Sequence, residues 1–303
     1  MSTDAPINGA PHLISKWLSR KEFAPANLQD QFAFSIVFSE QSLEPGEDEL
    51  RSDFWPSGAQ VSWLGGPALL PTTQTWPRTS EGAPLAHIAT FDLAGISGVL
   101  DPESRKQWQN PPLRADLPNT GFLQIFHDLS TYGYEPDDSA RQGWLVRWLS
   151  SREGLTFAVP PEDLDLPQPA AQVVLPMASF SLPSALDIAA DNESAFNAAE
   201  SAIEAYQSTW RFQRTEGTQT QPLPVSHLYG HSQAGEGLPR QEVLPVVLPL
   251  QSEADEYRLI ADLESWTTLE GWFGDASPLE IWMRQSDLQA RDFARAWCMI
   301  RTD

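Results

Sequence analysis

Basic residues and cysteine are scarce in this sequence, and both shortages exclude classes of function. The 303 residues contain 19 lysines and arginines against 41 aspartates and glutamates, so the formal net charge at pH 7 is -22. Such a chain repels the phosphates of nucleic acids and the surfaces of anionic membranes, so we expect neither as a partner. Because Cys298 is the one cysteine, the chain forms no internal disulfide and no thiolate metal cluster.

Long apolar runs are also lacking. No stretch approaches the roughly 20 apolar residues that cross a bilayer. The first residues have neither the basic flank nor the apolar run of a signal peptide. We therefore expect a cytoplasmic protein, in which the acidic surplus serves solubility or attracts a basic protein partner.

The chain does have a globular composition that is rich in rigid residues. Hydrophobic residues make up 41% of it, and 12 tryptophans and 26 prolines place many aromatic anchors between many turns. Its length predicts two domain-sized units or one large one. We predict an N-terminal segment, residues 1–58, with a helix from His12 to Phe23, a strand and an acidic loop from Glu40 to Gly58. A larger unit follows over residues 59–303.

Apolar runs and alternating patterns predict mostly strands in the larger unit. The predicted strands are Val61–Pro71, Leu85–Leu93, Phe122–Asp128, Trp144–Leu149, Val173–Pro183, Tyr257–Leu263 and Leu279–Arg284. Helices are predicted at Ser184–Trp210 and Asp287–Trp297, whereas Val243–Leu250 contains two prolines and is predicted to be an edge or irregular segment. Alternation within Leu85–Leu93 predicts that His87, Ala89 and Phe91 share one face. Strands with segregated helices predict the α+β class.

Two blocks of the sequence resemble each other. Each has a glycine-rich turn, at Gly65-Gly66 and at Gly230, followed by an apolar strand, a second turn and a second apolar strand. This order predicts two similar, mostly antiparallel β-rich halves, about 59–150 and 222–303, packed together with a few peripheral helices. A proline-rich crossing and a helix join them. The alternative is that any two strand–turn–strand units look alike, and both interpretations remain open.

One short motif suggests catalysis. The run Gly230-His231-Ser232-Gln233-Ala234 is similar to the nucleophile elbow of α/β-hydrolases, which requires a strand before it, a helix after it and a later histidine. Gly235 and Pro239 follow the motif, and no histidine follows His231. The sequence therefore does not predict a serine hydrolase.

Histidine spacing suggests a metal site with equal weakness. His227 and His231 are four residues apart, a spacing that places two zinc ligands on one face of a helix. Gly230 lies between them and no glutamate follows His227, so the pattern of zinc proteases is absent. Ligation by loop residues, with His87 or Asp275 added, is the alternative.

The remaining candidates lie in strands and turns. His87 lies in an apolar strand, while Asp92 and Asp275 lie at a strand end and a turn, where aspartate commonly caps backbone groups. Trp76 and Trp266 lie in polar turns, from which tryptophan can anchor an interface.

Several of these motifs together resemble the YwqG-like bacterial family of unknown function. They are Gly65-Gly66-Pro67-Ala68-Leu69-Leu70-Pro71 with Trp76-Pro77, Pro84 to Leu93, Gly121 to Phe126, Tyr229-Gly230-His231 with Gln233, Trp272 to Ala276, and Asp287 to Phe293. The resemblance covers about residues 60–300. The chain departs from the family at Ala89-Thr90-Phe91-Asp92-Leu93, where the family reads Ala-Gln-Ile-Asp-Leu, and at Ser232, where it has proline.

The resemblance implies an α+β fold with a duplicated β core, and no established activity or cofactor. An association of some relatives with bacterial toxin systems suggests an immunity-type role. Our leading prediction is a non-enzymatic interaction module that binds a basic protein. The alternative is an enzyme or small-ligand binder that uses histidine and aspartate in a groove between the halves. No catalytic set, metal or cofactor is predicted. The candidate ligand- or partner-binding residues are Trp76, His87, Asp92, His231, Gln233 and Asp275.

Overall fold

The structure, a computed structural model, describes most of the chain. It covers residues 11–40, 61–109, 113–114, 116–189, 191–210, 213–216, 219–222, 225–274 and 277–302. Residues 41–60, which hold most of the predicted acidic loop, and the candidate Asp275 lie outside the described residues.

Strands dominate the described chain. They are β1 (Ala33–Glu40), β2 (Ser62–Gly65), β3 (Ala68–Pro71), β4 (Ala86–Asp92), β5 (Phe122–His127), β6 (Trp144–Leu149), β7 (Leu155–Ala158), β8 (Ala171–Ser181), β9 (Gln213–Glu216), β10 (Gln219–Pro222), β11 (His227–Leu228), β12 (Tyr257–Leu263), β13 (Leu279–Arg284) and β14 (Trp297–Ile300). The helices are α1 (Pro11–Leu18), α2 (Leu93–Ser97), α3 (Pro102–Gln107), α4 (Ala185–Ala189), α5 (Glu193–Trp210), α6 (Leu244–Val247) and α7 (Gln285–Ala290). A π-helical turn, Pro239–Val243, precedes α6.

Ten of the described strands form one antiparallel sheet in the order β14-β13-β12-β11-β1-β8-β2-β4-β5-β6. We call β2, β4, β5 and β6 the N-terminal wing and β11 to β14 the C-terminal wing; the long pair β1 and β8 lies between them. The sheet curls until its edges meet, since Trp144 of β6 packs on Trp297 of β14 with ring centroids 4.9 Å apart. A mostly antiparallel sheet with a few helices was predicted, and this is confirmed.

The main core fills the inner face of the curled sheet. There α1 contributes Ile14, Trp17 and Leu18, at helical spacing, and α5 contributes Ala199 and Tyr206. The outer faces are also covered, by β3 and β7 over the N-terminal wing and by residues 239–248 over the C-terminal wing. Strands buried on both faces are apolar along their whole length, which explains the continuous apolar runs in the sequence.

A β-bulge overturns the predicted faces of β4. Its pairing with β5 shifts by one residue between His87 and Ala89. A bulge adds one residue to a strand and reverses the alternation beyond it. His87 therefore shares a face with Thr90, whose hydroxyl lies 2.8 Å from His87 Nε2, and not with Ala89 and Phe91 as predicted. The pairing of β12 with β13 shifts in the same way between Leu259 and Ala261.

Two further predictions were wrong for reasons of backbone conformation. The strand predicted over Val61–Pro71 is two strands in different sheets, because Gly65 and Gly66 both have positive φ and turn the chain away. The segment Val243–Leu250 is helical rather than an edge segment, since Pro245 falls in the first turn of α6, where its missing N–H costs nothing.

The predicted helix ends also moved. The helix predicted over Ser184–Trp210 is two helices that meet near Asn192, whose side chain accepts from Ala195 N at 3.2 Å. The helix predicted over Asp287–Trp297 ends at Ala290, because Arg291 takes a left-handed conformation, and Trp297 begins β14 instead.

The predicted division at residue 58 stays a prediction. The strand β1 from the first segment pairs on one side with β8 and on the other with β11. Among the described residues, no helix has the length and apolarity that a membrane span requires.

Candidate functional site

A pocket opens where the C-terminal wing joins β1. The strand β11 pairs through only His227 and Leu228 before Tyr229 and Gly230, both with positive φ, carry the chain out of the sheet. A Cβ at residue 230 would overlap the Ser181 hydroxyl, so only glycine fits there. The departure leaves a gap between the start of β1 and the start of β12, and this gap is a pocket of about 260 Å³.

His231 lies at one side of this pocket. Its backbone N–H donates to Ser181 Oγ at 2.8 Å, which holds the loop against β8. Its ring Nε2 lies 2.7 Å from the carbonyl oxygen of Gln31, and its Nδ1 lies 3.3 Å from Glu236 Oε1. Both ring nitrogens thus face acceptors, and the protonated ring, with two N–H groups, is the form that donates to both.

Glu236 links His231 to an arginine. It accepts from His231 and from Arg240 Nε. Burial raises the pKa of the Glu236 carboxyl, but the hydrogen bond from His231 and the charge of Arg240 outweigh burial, so the pKa lies below its ordinary value. The carboxylate is therefore ionised in the range where most proteins work.

Arg240 is about one-third exposed and keeps open donors. Its Nη1 donates to Tyr257 O at 3.0 Å, and its guanidinium lies 5.2 Å from the centre of the Trp282 ring. Its Nη2 makes no hydrogen bond within the part of the chain that the structure describes. A stacked, half-fixed guanidinium of this kind is pre-organised for a planar anion.

Two further arginines line the pocket. Arg258 donates to Asp116 at 3.0 Å and to Gln285 at 2.8 Å, and burial lowers its pKa. Arg114 pairs with both carboxylate oxygens of Glu256, at 2.6 and 2.7 Å. Both are held by carboxylates that lie outside the lining of the pocket.

The pocket therefore carries a local positive charge on an acidic protein. Three guanidinium groups and the His231 ring line it, against two carboxylates, Asp30 and Glu236. Among its described lining residues there is no serine, threonine, cysteine or lysine to act as a nucleophile. The arrangement is suited to holding an anion rather than to attacking a substrate.

The two residues after His231 point into a buried polar network instead. Ser232 is 1% exposed and its hydroxyl donates to Glu280. Gln233 donates to Asp262 from its backbone at 2.8 Å and from its side chain at 3.3 Å. The serine of the elbow-like motif thus contacts a carboxylate on the inside of the loop, and not a histidine.

Sequence reasoning missed the acidic members of this network as a set. Asp262 and Glu280 are directly opposed on β12 and β13, and Arg301 donates to Glu280 at 2.8 Å. Burial, with a contribution from the charge of Asp262, raises the pKa of Glu280 to about 7 although Arg301 lowers it. The one signal in the sequence was the presence of carboxylates inside two otherwise apolar strands.

Three predicted site residues lie away from the pocket. Trp76 is buried, donates to Leu85 O at 2.7 Å and packs edge-on against Phe126. His87 is buried in the N-terminal wing, where burial lowers its pKa to about 4. Asp92 caps α2, accepting from the backbone N–H groups of residues 94 and 95 at 3.3 and 2.9 Å. Of the six candidates, His231 is the one that lines the pocket.

Metal ligation finds no support in the part of the chain that is described. No group of three or more histidine, cysteine, aspartate or glutamate side chains there is arranged to hold an ion.

Comparison with known proteins gives a family but no activity. The model of a family described as "Domain of unknown function (DUF1963)" matches residues 62–301. One of the subunits of the NADH-quinone oxidoreductase of Azorhizobium caulinodans is 32% identical over 115 residues, which are 35% of this chain. The match covers 53% of that protein, about half of its length. The narrower likeness to the YwqG-like group stays a prediction. Because the family match extends over most of the chain, the protein belongs to the DUF1963 family, a domain of unknown function.

Proposed function

We propose that this protein binds a small anion, with a carboxylate or phosphate group, in the pocket around His231. The observation that carries the proposal is the open Nη2 donor of Arg240 beside a histidine ring whose two nitrogens both face acceptors. Guanidinium groups bind carboxylate and phosphate through paired, charge-assisted hydrogen bonds.

The charge distribution supports an anion over other ligands. A chain of net charge -22 repels anions at long range, so retention depends on cations that act at short range. Arg114, Arg240 and Arg258 supply them in a recess, where water screens charges less than at the surface. The volume of about 260 Å³ lies below the range typical of drug-sized ligands and favours a small one.

Thermal unfolding in phosphate, acetate or citrate, against chloride at equal ionic strength, tests the proposal. A bound anion stabilises the folded state by about 2.7 kcal/mol when its concentration is 100 times Kd. We expect Arg240→Gln to weaken binding about tenfold or more, the value of one or two charged hydrogen bonds. Arg114→Gln removes a second pocket cation whose side chain is half exposed and should weaken binding less.

Arg295→Gln is the matched control, because Arg295 is exposed, pairs with Asp292 and does not line the pocket. It should bind the anion as the wild type does. Equal losses in the Arg240 and Arg295 variants, or no stabilisation by any of the anions, would contradict a site in this pocket.

We also propose that the two wings are copies of one ancestral unit. In the N-terminal wing Trp63 pairs with Thr90 and Leu64 with Ala89; in the C-terminal wing His227 pairs with Asp262 and Leu228 with Ala261. Next to each pairing a bulge follows at the same place, before Ala89 and before Ala261. Shared register and shared irregularity support descent from one unit better than the weak sequence likeness does.

Side-chain contacts support the same proposal. Ser62 Oγ accepts from Asp92 N at 3.0 Å, and Ser226 Oγ accepts from Glu264 N at 3.2 Å. A crystal structure provides the test: β2, β4, β5 and β6 should superpose in order on β11 to β14 with both bulges coincident. Bulges at non-equivalent positions would count against common descent.

A further inference from the structure

A second recess lies at the other end of the C-terminal wing and shares no lining residue with the His231 pocket. It is a groove of about 400 Å³ between the loop at residues 165–167 and the loop at 271–274. Leu129 and Ile300 line it, and Tyr132, which is 50% exposed, borders it. The two loops are tied together, since Gln168 donates to Glu270 O at 3.1 Å and accepts from Trp272 Nε1 at 3.1 Å.

The two loops come from stretches of sequence without a single lysine or arginine. One stretch runs over residues 153–210 and the other over residues 259–283. Both contain many acidic residues, and Asp165 is the charged residue among those that line the groove in the described chain. The field at this groove is therefore negative, opposite to that of the His231 pocket.

Exposed aromatic rings flank the groove. Tyr132 borders it, and Trp266, 49% exposed, lies on the same loop as Gly271, whose N–H donates to Ser265 O at 3.4 Å. Tyrosine and tryptophan are the residues that most often anchor protein interfaces, because they combine a large apolar area with a polar tip.

We infer that this groove binds a basic segment of a partner protein, with an apolar side chain seated on Leu129 and Ile300 and a lysine or arginine paired with Asp165. The charge of the two loops decides for a basic occupant, and the apolar floor decides for a segment that alternates basic and apolar residues. The site differs from that of the anion, so either one exists without the other.

Fluorescence anisotropy with a dye-labelled peptide of alternating arginine and leucine tests the inference. We expect saturable binding at low salt that weakens at high salt, because exposed charges are screened. A peptide with glutamate in place of arginine should not bind. Tyr132→Ala should weaken binding about fivefold or more, and Asp165→Asn about two- to fivefold.

Asp163→Asn is the matched control, because Asp163 lies on the same loop, carries the same charge and pairs with Arg78 instead of lining the groove. It should change the affinity less than about twofold. Binding that is unaltered in both groove variants, a loss in the Asp163 variant as large as that in Asp165→Asn, or no binding of the arginine peptide would each overturn the inference. Anion-induced stabilisation should be the same in all three variants.

Discussion

On the outer face of the N-terminal wing, Gln124 occupies the register position that Glu280 occupies in the C-terminal wing. Gln124 pairs with Thr90, and Glu280 pairs with Asp262. The neighbours in one wing are an amide and a hydroxyl, and in the other they are two carboxylates. The backbone geometry is shared while the buried chemistry differs.

The layer in the N-terminal wing is one directional chain of hydrogen bonds. Arg147 donates to Gln124 Oε1 at 2.8 and 3.0 Å, and Gln124 Nε2 donates to Thr90 Oγ1 at 3.0 Å. The Thr90 hydroxyl then donates to His87 Nε2, and His87 Nδ1 donates to the carbonyl of Gly65 at 2.8 Å. Each group has one role, so His87 stays neutral.

The layer in the C-terminal wing holds charge and also holds a loop. Glu280 accepts from Ser232, from Trp282 Nε1 at 2.7 Å and from Arg301, which also donates to Gly235 O at 2.7 Å. These bonds fix the loop that places His231 at the pocket. The comparison teaches that the same strand pairing carries a function only where its polar layer reaches out to a loop.

The largest expected effect comes from removing Arg301. Arg301→Met leaves Glu280 and Asp262 without a buried cation, and we expect a loss of about 3–5 kcal/mol in the free energy of unfolding. Urea unfolding above pH 7 measures it. Adding Glu280→Gln should restore much of the loss; a double variant no more stable than the single one would mean that Arg301 acts by packing and not by compensating charge.

The two wings should respond to pH with opposite signs. Burial raises the pKa of Glu280 from 4.5 to about 7, so its contribution to stability is present below pH 4.5 and is lost as the pH rises to 7. Burial lowers the pKa of His87 from 6.5 to about 4, so its contribution is present above pH 6.5 and is lost as the pH falls to 4. At about 1.4 kcal/mol per pKa unit, each amounts to about 3 kcal/mol.

Urea unfolding of the wild type, Glu280→Gln and His87→Gln across this pH window measures both contributions. The stability of the wild type relative to Glu280→Gln should fall with pH, and that relative to His87→Gln should rise. The groups that face Glu280 are Asp262, Ser232, Trp282 and Arg301, and those that face His87 are Thr90, the Gly65 carbonyl and the charge of Arg147. Two parallel slopes would remove the contrast between the wings.

Removing the arginine of the N-terminal wing should cost less. Arg147 is partly exposed, and its partners Gln124, Gln74 and the Leu69 carbonyl are neutral. Arg147→Met therefore leaves no buried charge behind, and we expect a loss of about 1–2 kcal/mol. The same urea series as for Arg301 measures it, and a loss equal to that of Arg301→Met would mean that burial of charge does not separate the two wings.

The smallest effect tests the likeness of the wings. Ser62→Ala and Ser226→Ala each remove one acceptor for a backbone N–H, and each should cost about 1 kcal/mol. Similar values in thermal unfolding would support equivalent positions. A large cost at one serine with none at the other would show that the two contacts are not counterparts.

Much of the sheet was predictable because an apolar run is a local signal. The strands predicted at Trp144–Leu149, Tyr257–Leu263 and Leu279–Arg284 are confirmed with the same limits. The order of strands was not predictable in this way, since β1, from the first 58 residues, lies at the centre of the sheet between strands that follow it by more than 100 residues. Pairing over such distances leaves no mark in a single sequence.

The candidate site was predicted only in part. His231 stood out through its place beside Gly230, but Arg114, Arg240 and Arg258 come from separate segments that no spacing relates. They meet because β11 is short and the chain leaves the sheet at Tyr229 and Gly230. The same holds for Asp262 and Glu280, which become opposed only when β12 and β13 pair.

The sequence by itself determined the class of this protein: an acidic chain with one cysteine, mostly strands, and glycine turns where positive φ is needed. These properties follow from composition and from local patterns of two to seven residues. Only the tertiary structure decided which charges are buried, which of them compensate one another and where a cationic pocket opens. Burial and charge pairing depend on contacts between distant segments, and those contacts exist only once the sheet has closed.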